Sequence, residues 1–267
     1  MIAPSDLFDL QGLTHAALFT GVDLAWDALD RIKEFCAAAV AEAGPSGPLL
    51  RQGGDVVGRT VVLHQGRVHR DGFELLGGDP TKGLMRVRLQ GREVSDAAVV
   101  HAGAVIFDDA VHIAPGAVVE PGALIKGPSF IGPGSEVRQG AYLRGGCLVG
   151  RGCVVGHTTE MKNAAMLDGA KAGHFAYLGD SILGREVNLG AGTKLANLKM
   201  VPSPHRVKAG GVTYQITRRK FGAIMGDRTE TGCNSVLNPG VVLGPCCMVA
   251  PCVSVPGGYH PSRAIIR

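Results

Sequence analysis

A six-residue rhythm runs through the second half of this 267-residue chain and restricts its fold more than any other feature. Stepping by six from Phe107 gives Ile113, Val119, Ile125, Ile131, Val137, Leu143, Val149, Val155, Met161 and Leu167, all apolar. Two residues ahead of the later members stand Ala117, Ala123, Ser129, Ser135, Ala141, Cys147, Cys153, Thr159 and Ala165, all small. A helix repeats near 3.6 residues and a half-buried strand at 2, so neither fits. One large and one small inward residue per hexad is the signature of a parallel β-helix, in which each hexad supplies a short strand and a corner. Three hexads close a triangular coil, and residues one coil apart stack at the strand spacing of about 4.8 Å.

The rhythm resumes with Leu183, Leu189 and Leu195, and again with Met225, Thr231, Leu237, Leu243, Val249 and Val255. Between these runs lies LKMVPSPHRVKAGGVTYQITRRKFG, which predicts an excursion over about 198–222 with a hairpin around Ala209, Gly210 and Gly211. It carries His205, Arg206, Lys208, Arg218, Arg219 and Lys220, and reads either as a solvated basic loop or as a contact for an anionic ligand. The resulting class is all-β, a parallel β-helix over 96–267 with a small α+β cap over 1–95. Forty glycines and an aromatic content of only 5% suit short strands and tight turns. In the cap, a helix over 23–43 is expected behind an Asp23 N-cap, with Leu24, Ala28, Leu29, Ile32, Phe35 and Cys36 on one apolar stripe. GPSGP at 44–48 ends it, and RTVVLHQGRVHRDGFELL and GLMRVRLQG read as short strands. The cap is expected on the end of the solenoid, and no chemistry is assigned to it.

A net charge of +4 implies no nucleic-acid surface. No apolar run reaches the length of a membrane span. MIAPSDLFDLQGLTHAALFT lacks the positive region of a signal peptide. Seven cysteines without a C-x-x-C point to reduced thiols, a cytoplasmic setting and no metal site. Cys147 and Cys153 occupy the small interior position and are expected to be inert.

Chemistry concentrates where the rhythm falters. Arg144 and Lys162 each follow an inward residue one coil apart, and Lys126 falls on the same column. Two such cations about 5 Å apart repel by about 3 kcal/mol at an effective dielectric near 20, and by under about 1 kcal/mol in water. A splayed, solvated column therefore costs little, whereas a bound phosphate converts the repulsion into charge-assisted hydrogen bonds. His174 and Tyr177 fall where the register slips, which would turn their side chains away from the coil. Glu160 lies beside the paired cations just upstream, and a neutral His174 there could take a proton from an amine. Tyr177, Asn188 and Asn197 add hydroxyl and amide groups suited to a sugar or a pantetheine amide.

EMKNAAMLDGAKAGHFAYLGDSILGREVNLGAGT, residues 160–193, closely resembles the acetyltransferase half of the bacterial bifunctional N-acetylglucosamine-1-phosphate uridyltransferase/glucosamine-1-phosphate acetyltransferase. The likeness runs over roughly the last 160 residues, with the excursion inserted. It implies a left-handed β-helix, a homotrimer with active sites between subunits, and acetyl-CoA as co-substrate. By resemblance, His174 matches the general base, Arg144 and Lys162 the sugar-phosphate cations, and Tyr177 and Asn188 the sugar contacts. Ala191, Asn197, Lys220, Cys233 and Arg267 match positions at the coenzyme, with Cys233 standing where the family has a serine. Nothing in the first 95 residues matches the L-x-x-G-x-G-T-x-M loop of the uridyltransferase half. LFDLQGLTHAALF followed by a Trp-bearing helix instead resembles a stand-alone, sugar-nucleotidyltransferase-like subgroup.

The expectation is acetyl transfer to the amine of an amino-sugar phosphate in nucleotide-sugar metabolism. His174 would act as base, positioned by Glu160, and backbone N–H groups of Gly190-Ala191-Gly192 would form the oxyanion site. Amine attack on a thioester needs a base and an oxyanion donor, and no metal. The alternative is a non-catalytic sugar-phosphate or nucleotide-sugar binding module, or a regulatory trimer.

Overall fold

The computed structural model describes residues 2–77 and 85–267. Its strands wind into a three-sided parallel solenoid. The first face is an eleven-stranded sheet, of which nine parallel strands run from Ala98–Val100 to Ile265–Ile266 and the other two, Val61–His64 and Arg67–His69, extend it antiparallel. The second face has eight strands, from Val105–Ile106 to Ser254–Val255. The third also has eight, from Val111–Ile113 to Gly258–His260. Ile125, Leu143, Met161 and Leu178 stack in register on the second face, and each is fully buried. A buried side chain every hexad removes apolar surface from water at roughly 25 cal/mol per Å², while the coils satisfy each other's backbone groups.

The small inward positions do a second job. Ser135 Oγ donates to the Gly150 carbonyl at 2.7 Å, Thr159 Oγ1 to Ala172 at 3.0 Å, and Cys153 Sγ to Leu167 at 3.1 Å. Each of these buried hydroxyl and thiol groups thereby finds a backbone carbonyl of a neighbouring rung as its partner. Burial pushes the thiols of Cys147 and Cys153 up to about 12, which keeps them protonated.

The frame of the repeat differs from the expected one at three points. Ile106, not Phe107, stacks on Ile125; Phe107 is half exposed, with Lys126 Nζ 4.9 Å above its ring. Val149 stacks on Met166, and Met166 on Leu183, so Leu167 and Ala165 leave the interior series and face outward. The slip therefore does not fall at His174. Ala172 to Leu178 is a regular hexad, and the shortened corners are Lys162-Asn163 and Gly179-Asp180. Asn163 and Asp180 take the tight turn with φ of 44° each, a left-handed conformation that Asn and Asp adopt more readily than other side chains.

The N-terminal segment is not stacked on the end alone. Its helix, Ala28–Ala43, follows a short 3₁₀ turn at Ala25–Asp27 and starts later than an Asp23 cap predicts. It lies along the third face, where Phe130, Leu148, Ala165, Ile182, Ile224 and Val242 point outward and join Leu7, Leu18, Trp26, Leu29, Ile32 and Cys36 in one cluster. An apolar outer wall needs cover, and this segment supplies it. A small separate sheet, Phe73–Leu75, Val87–Leu89 and Arg92–Val94, follows; Gly83 and Leu84 of the expected strand stretch lie outside the described residues.

The excursion forms the expected hairpin, His205–Ala209 and Val212–Ile216, turning at Gly210-Gly211. It is docked rather than free. Val207 and Ala209 enter the same cluster, the Tyr214 ring sits 5.4 Å from Trp26, and Arg218 pairs with Asp30 and donates to the Trp26 carbonyl at 2.7 Å. The chain thus clothes its third face and leaves the middle of its second face open. No helix among the described residues is long and apolar enough to cross a membrane.

Two measurements check this architecture. Leu143→Ala should lower unfolding stability by about 2–5 kcal/mol in denaturant titration. Cys233 and Cys252, the exposed thiols, should alkylate first in the native protein, while Cys36, Cys147 and Cys153 should react only on unfolding.

Candidate functional site

Two outward columns cross the open second face. One carries Lys126 and Arg144 in register, then Lys162, then Gly179. The other carries Tyr142, Glu160, Tyr177 and Lys194, each on the next rung. The three cations thus share a column, and each is held by a neighbour, although Arg144 remains exposed. Arg144 Nη1 donates to Glu160 Oε1 at 2.7 Å, and this bond holds the guanidinium pKa above its ordinary value. Lys162 Nζ lies 3.5 Å from Asp180 Oδ2. Lys126 sits over the Phe107 and Tyr142 rings at 4.9 and 5.6 Å. Lys220, brought back by the excursion, lies beside Lys162, whose ammonium pulls the Lys220 pKa below the usual lysine value while Asp180 partly opposes it.

The edge between the second and third faces holds a polar ladder. Asp180 Oδ1 accepts from Asn163 Nδ2 at 3.0 Å, and its Oδ2 accepts from Asn197 Nδ2 at 2.5 Å. Asn197 Oδ1 in turn accepts from the Tyr177 hydroxyl at 3.4 Å. Burial, then Glu160 and Asp180, push the Tyr177 hydroxyl pKa up. Arg144, Glu160, Lys162, Tyr177, Asn197 and Lys220 are thus gathered along one side of the second face.

His174 lies elsewhere, on the edge between the first and second faces. It stacks in register under His157 and is exposed. Its ring is 6.3 Å from that of Phe175, which stands half exposed at a left-handed corner with φ of 52°. No described residue hydrogen-bonds the His174 ring. The expected contact from Glu160 is not made, because Glu160 points out of the second face and is paired with Arg144. Directly below, the His174 carbonyl accepts from Gly192 N–H at 2.9 Å, which puts Ala191 on the next rung of the same edge. Asn234 N–H bonds the Ala191 carbonyl, placing Cys233 one rung further. Arg267 follows Ile266, which stacks on Val249, at the foot of this edge. Asn188 is exposed on the first face next to it.

The expected oxyanion donors are fewer than three. Gly190 N–H goes to the Thr231 carbonyl at 2.8 Å, and Gly192 N–H to His174. Among the described residues the Ala191 N–H alone of that trio is unengaged. Asn163, Gly179, Asp180 and His157 were not singled out from the sequence. The signal for the first three was present, since the inward residue returns after five residues instead of six at both their corners.

Fold and face together define a hexapeptide-repeat parallel β-helix protein with a cationic column on its open side. Residues 125–217, which include Arg144, Lys162, His174, Tyr177 and Asn197, match the family model described as the GMPPB C-terminal domain. The chain is 38% identical over 87 residues to a bifunctional sugar-1-phosphate nucleotidylyltransferase/acetyltransferase of Sulfurisphaera tokodaii, covering 33% of this chain and 22% of that protein. It is 36% identical over 88 residues to the bifunctional protein GlmU of Methanococcus vannielii, covering 33% and 21%. The chain thus spans about a fifth of the length of these curated relatives. Among solved structures, the acetyltransferase domain of PglB from Neisseria gonorrhoeae matches at 17% identity and a TM-score of 0.25, over 55% of this chain and 51% of that one. The UDP-N-acetylglucosamine acyltransferase of Arabidopsis matches at 15% and 0.22, over 64% and 72%.

The lysine pair is directly testable. Lys162→Met should raise the Lys220 pKa toward the ordinary lysine range, followed by carbon-13 titration of the labelled side chains; an unmoved Lys220 would show that the two ammonium groups do not share a site.

Proposed function

We propose that this chain transfers an acetyl group from acetyl-CoA to the amine of an amino-sugar phosphate resembling glucosamine 1-phosphate. Two observations support the reading: a cation column on the open face, Arg144 and Lys162, and, on the neighbouring edge, an imidazole, His174, that no described residue hydrogen-bonds and that stands one rung from Ala191. The name of the Sulfurisphaera tokodaii relative, which combines nucleotidylyl and acetyl transfer, supports it.

Arg144 and Lys162 hold the phosphate, which takes the place of Glu160 on the guanidinium and gains charge-assisted bonds. Tyr177 and Asn188 orient the ring. His174 Nε2 or Nδ1 accepts the proton of the amine as its nitrogen bonds to the acetyl carbonyl carbon. The oxygen that becomes negative is met by the Ala191 N–H. The carbon–sulfur bond then breaks, and the leaving thiolate takes up the proton from the imidazolium.

Acetyl-CoA is placed along the first edge, where Ala191, Cys233 and Arg267 follow one another down the rungs below His174. The rungs from Ala191 to Arg267 give an extended ligand a track of about 15 Å at the strand spacing. Asn197 and Lys220 belong, with Arg144, Lys162 and Tyr177, to the opposite side of the second face, about 10 Å across at three residues per strand. A homotrimer reconciles the two. The first edge of one copy faces the second face of the next, a heterologous contact that closes as a ring.

The deciding assay is CoA release against a panel of amino-sugar 1-phosphates. His174→Ala should cut turnover by roughly 10²- to 10⁴-fold with sugar-phosphate affinity kept. Unchanged turnover would remove His174 from the chemistry, and no CoA release with any member of the panel would end the reading.

A further inference from the structure

The cation column stops at Gly179, and the reason is spatial. A Cβ at Gly179 would lie 2.6 Å from both Tyr177 Oη and Asn197 Nδ2. A side chain there would drive the hydroxyl and the amide apart. The next residue, Asp180, is buried and holds a left-handed φ of 44°. Non-glycine residues in that region carry strain that surrounding contacts must offset. Those contacts are Asn163 Nδ2 on one carboxylate oxygen and Asn197 Nδ2 on the other, with Lys162 Nζ nearby.

We infer that Asp180 is a positioning residue for the sugar end of the site, acting through Asn197 on Tyr177, with Gly179 as the space it needs. This rests on the transfer reading above for what the site binds, though not for how the ladder works. A carboxylate can only accept. It therefore compels Asn197 to turn its NH₂ inward and its carbonyl toward Tyr177. Tyr177 must then spend its proton on Asn197, which leaves the phenol oxygen as an acceptor on the open face. The site consequently reads a ligand group that donates, such as a sugar hydroxyl. An asparagine in place of Asp180 can present an NH₂ to the Asn197 amide and releases that choice.

The test uses the full chain carrying Asp180→Asn, Gly179→Ala or Tyr177→Phe. Ultraviolet titration follows tyrosine ionisation, with the Tyr177 step identified as the one lost in Tyr177→Phe. The charged groups around that hydroxyl are Glu160, Asp180, Lys162 and Arg144, so deleting the Asp180 charge alone should move the step to lower pH. Calorimetry with glucosamine 1-phosphate should show affinity reduced about tenfold, the effect of one hydrogen bond. A Tyr177 step that stays in place in a folded Asp180→Asn protein would overturn the inference.

If Asp180→Asn does not fold, Gly179→Ala decides. It leaves every charge in place, wedges a methyl group between Tyr177 and Asn197, and should cost the same roughly tenfold in affinity; full affinity there would also overturn the inference. A parent protein that does not bind glucosamine 1-phosphate would defeat the substrate reading, while the tyrosine titration would still pass judgement on Asp180.

Discussion

Everything in this molecule depends on one coil lying in hydrogen-bonded register on the next. Parallel rungs about 4.8 Å apart satisfy the backbone and at the same time line up side chains of equal phase. Inward, that alignment makes a continuous core from Ile106 to Val255. Outward, it makes columns, so that a residue's chemistry is decided by what stands one coil above and below it. Arg144 meets Lys126 in this way, and His174 meets His157.

Stacking like charges is the drawback of such a scaffold, and the structure answers it with carboxylates set one column or one corner away. Glu160 neutralises Arg144 and Asp180 neutralises Lys162. The exposed pair is worth little by itself in water. Its importance is that an anionic ligand arrives at cations already held in place. The shortened corners serve the same end, since removing one residue at Asn163 and at Asp180 turns polar side chains into the edge where Tyr177, Asn197 and Lys162 converge.

The hexad period was readable because it is local and repeated, and it located the solenoid, the hairpin at Gly210-Gly211 and the shared face of Arg144 and Lys162. It misplaced Phe107 because Ile106 beside it is equally apolar. It misplaced Leu167 because Met166-Leu167 satisfies either frame, and this error moved the slip to His174. The Asp180 ladder was invisible to periodicity, because its partners are spaced by a register that only the folded coils define. Glu160 was linked to His174 by nearness in sequence, whereas the pleat directs it to Arg144.

The N-terminal segment is tied to rungs formed far along the chain: Cys36 Sγ donates to the Cys147 carbonyl, and Asp9 N–H to Asp227. Phe130, Leu148, Ile182, Ile224 and Val242 line the wall that it covers. During synthesis this segment leaves the ribosome long before its seat exists. Its contacts are therefore among the most non-local in the molecule, and they can form only once the coils that carry them exist. Until the segment is seated, the coil carries a bare apolar stripe from Phe130 to Val242, so stripping the first forty residues from the finished solenoid would leave it prone to self-association.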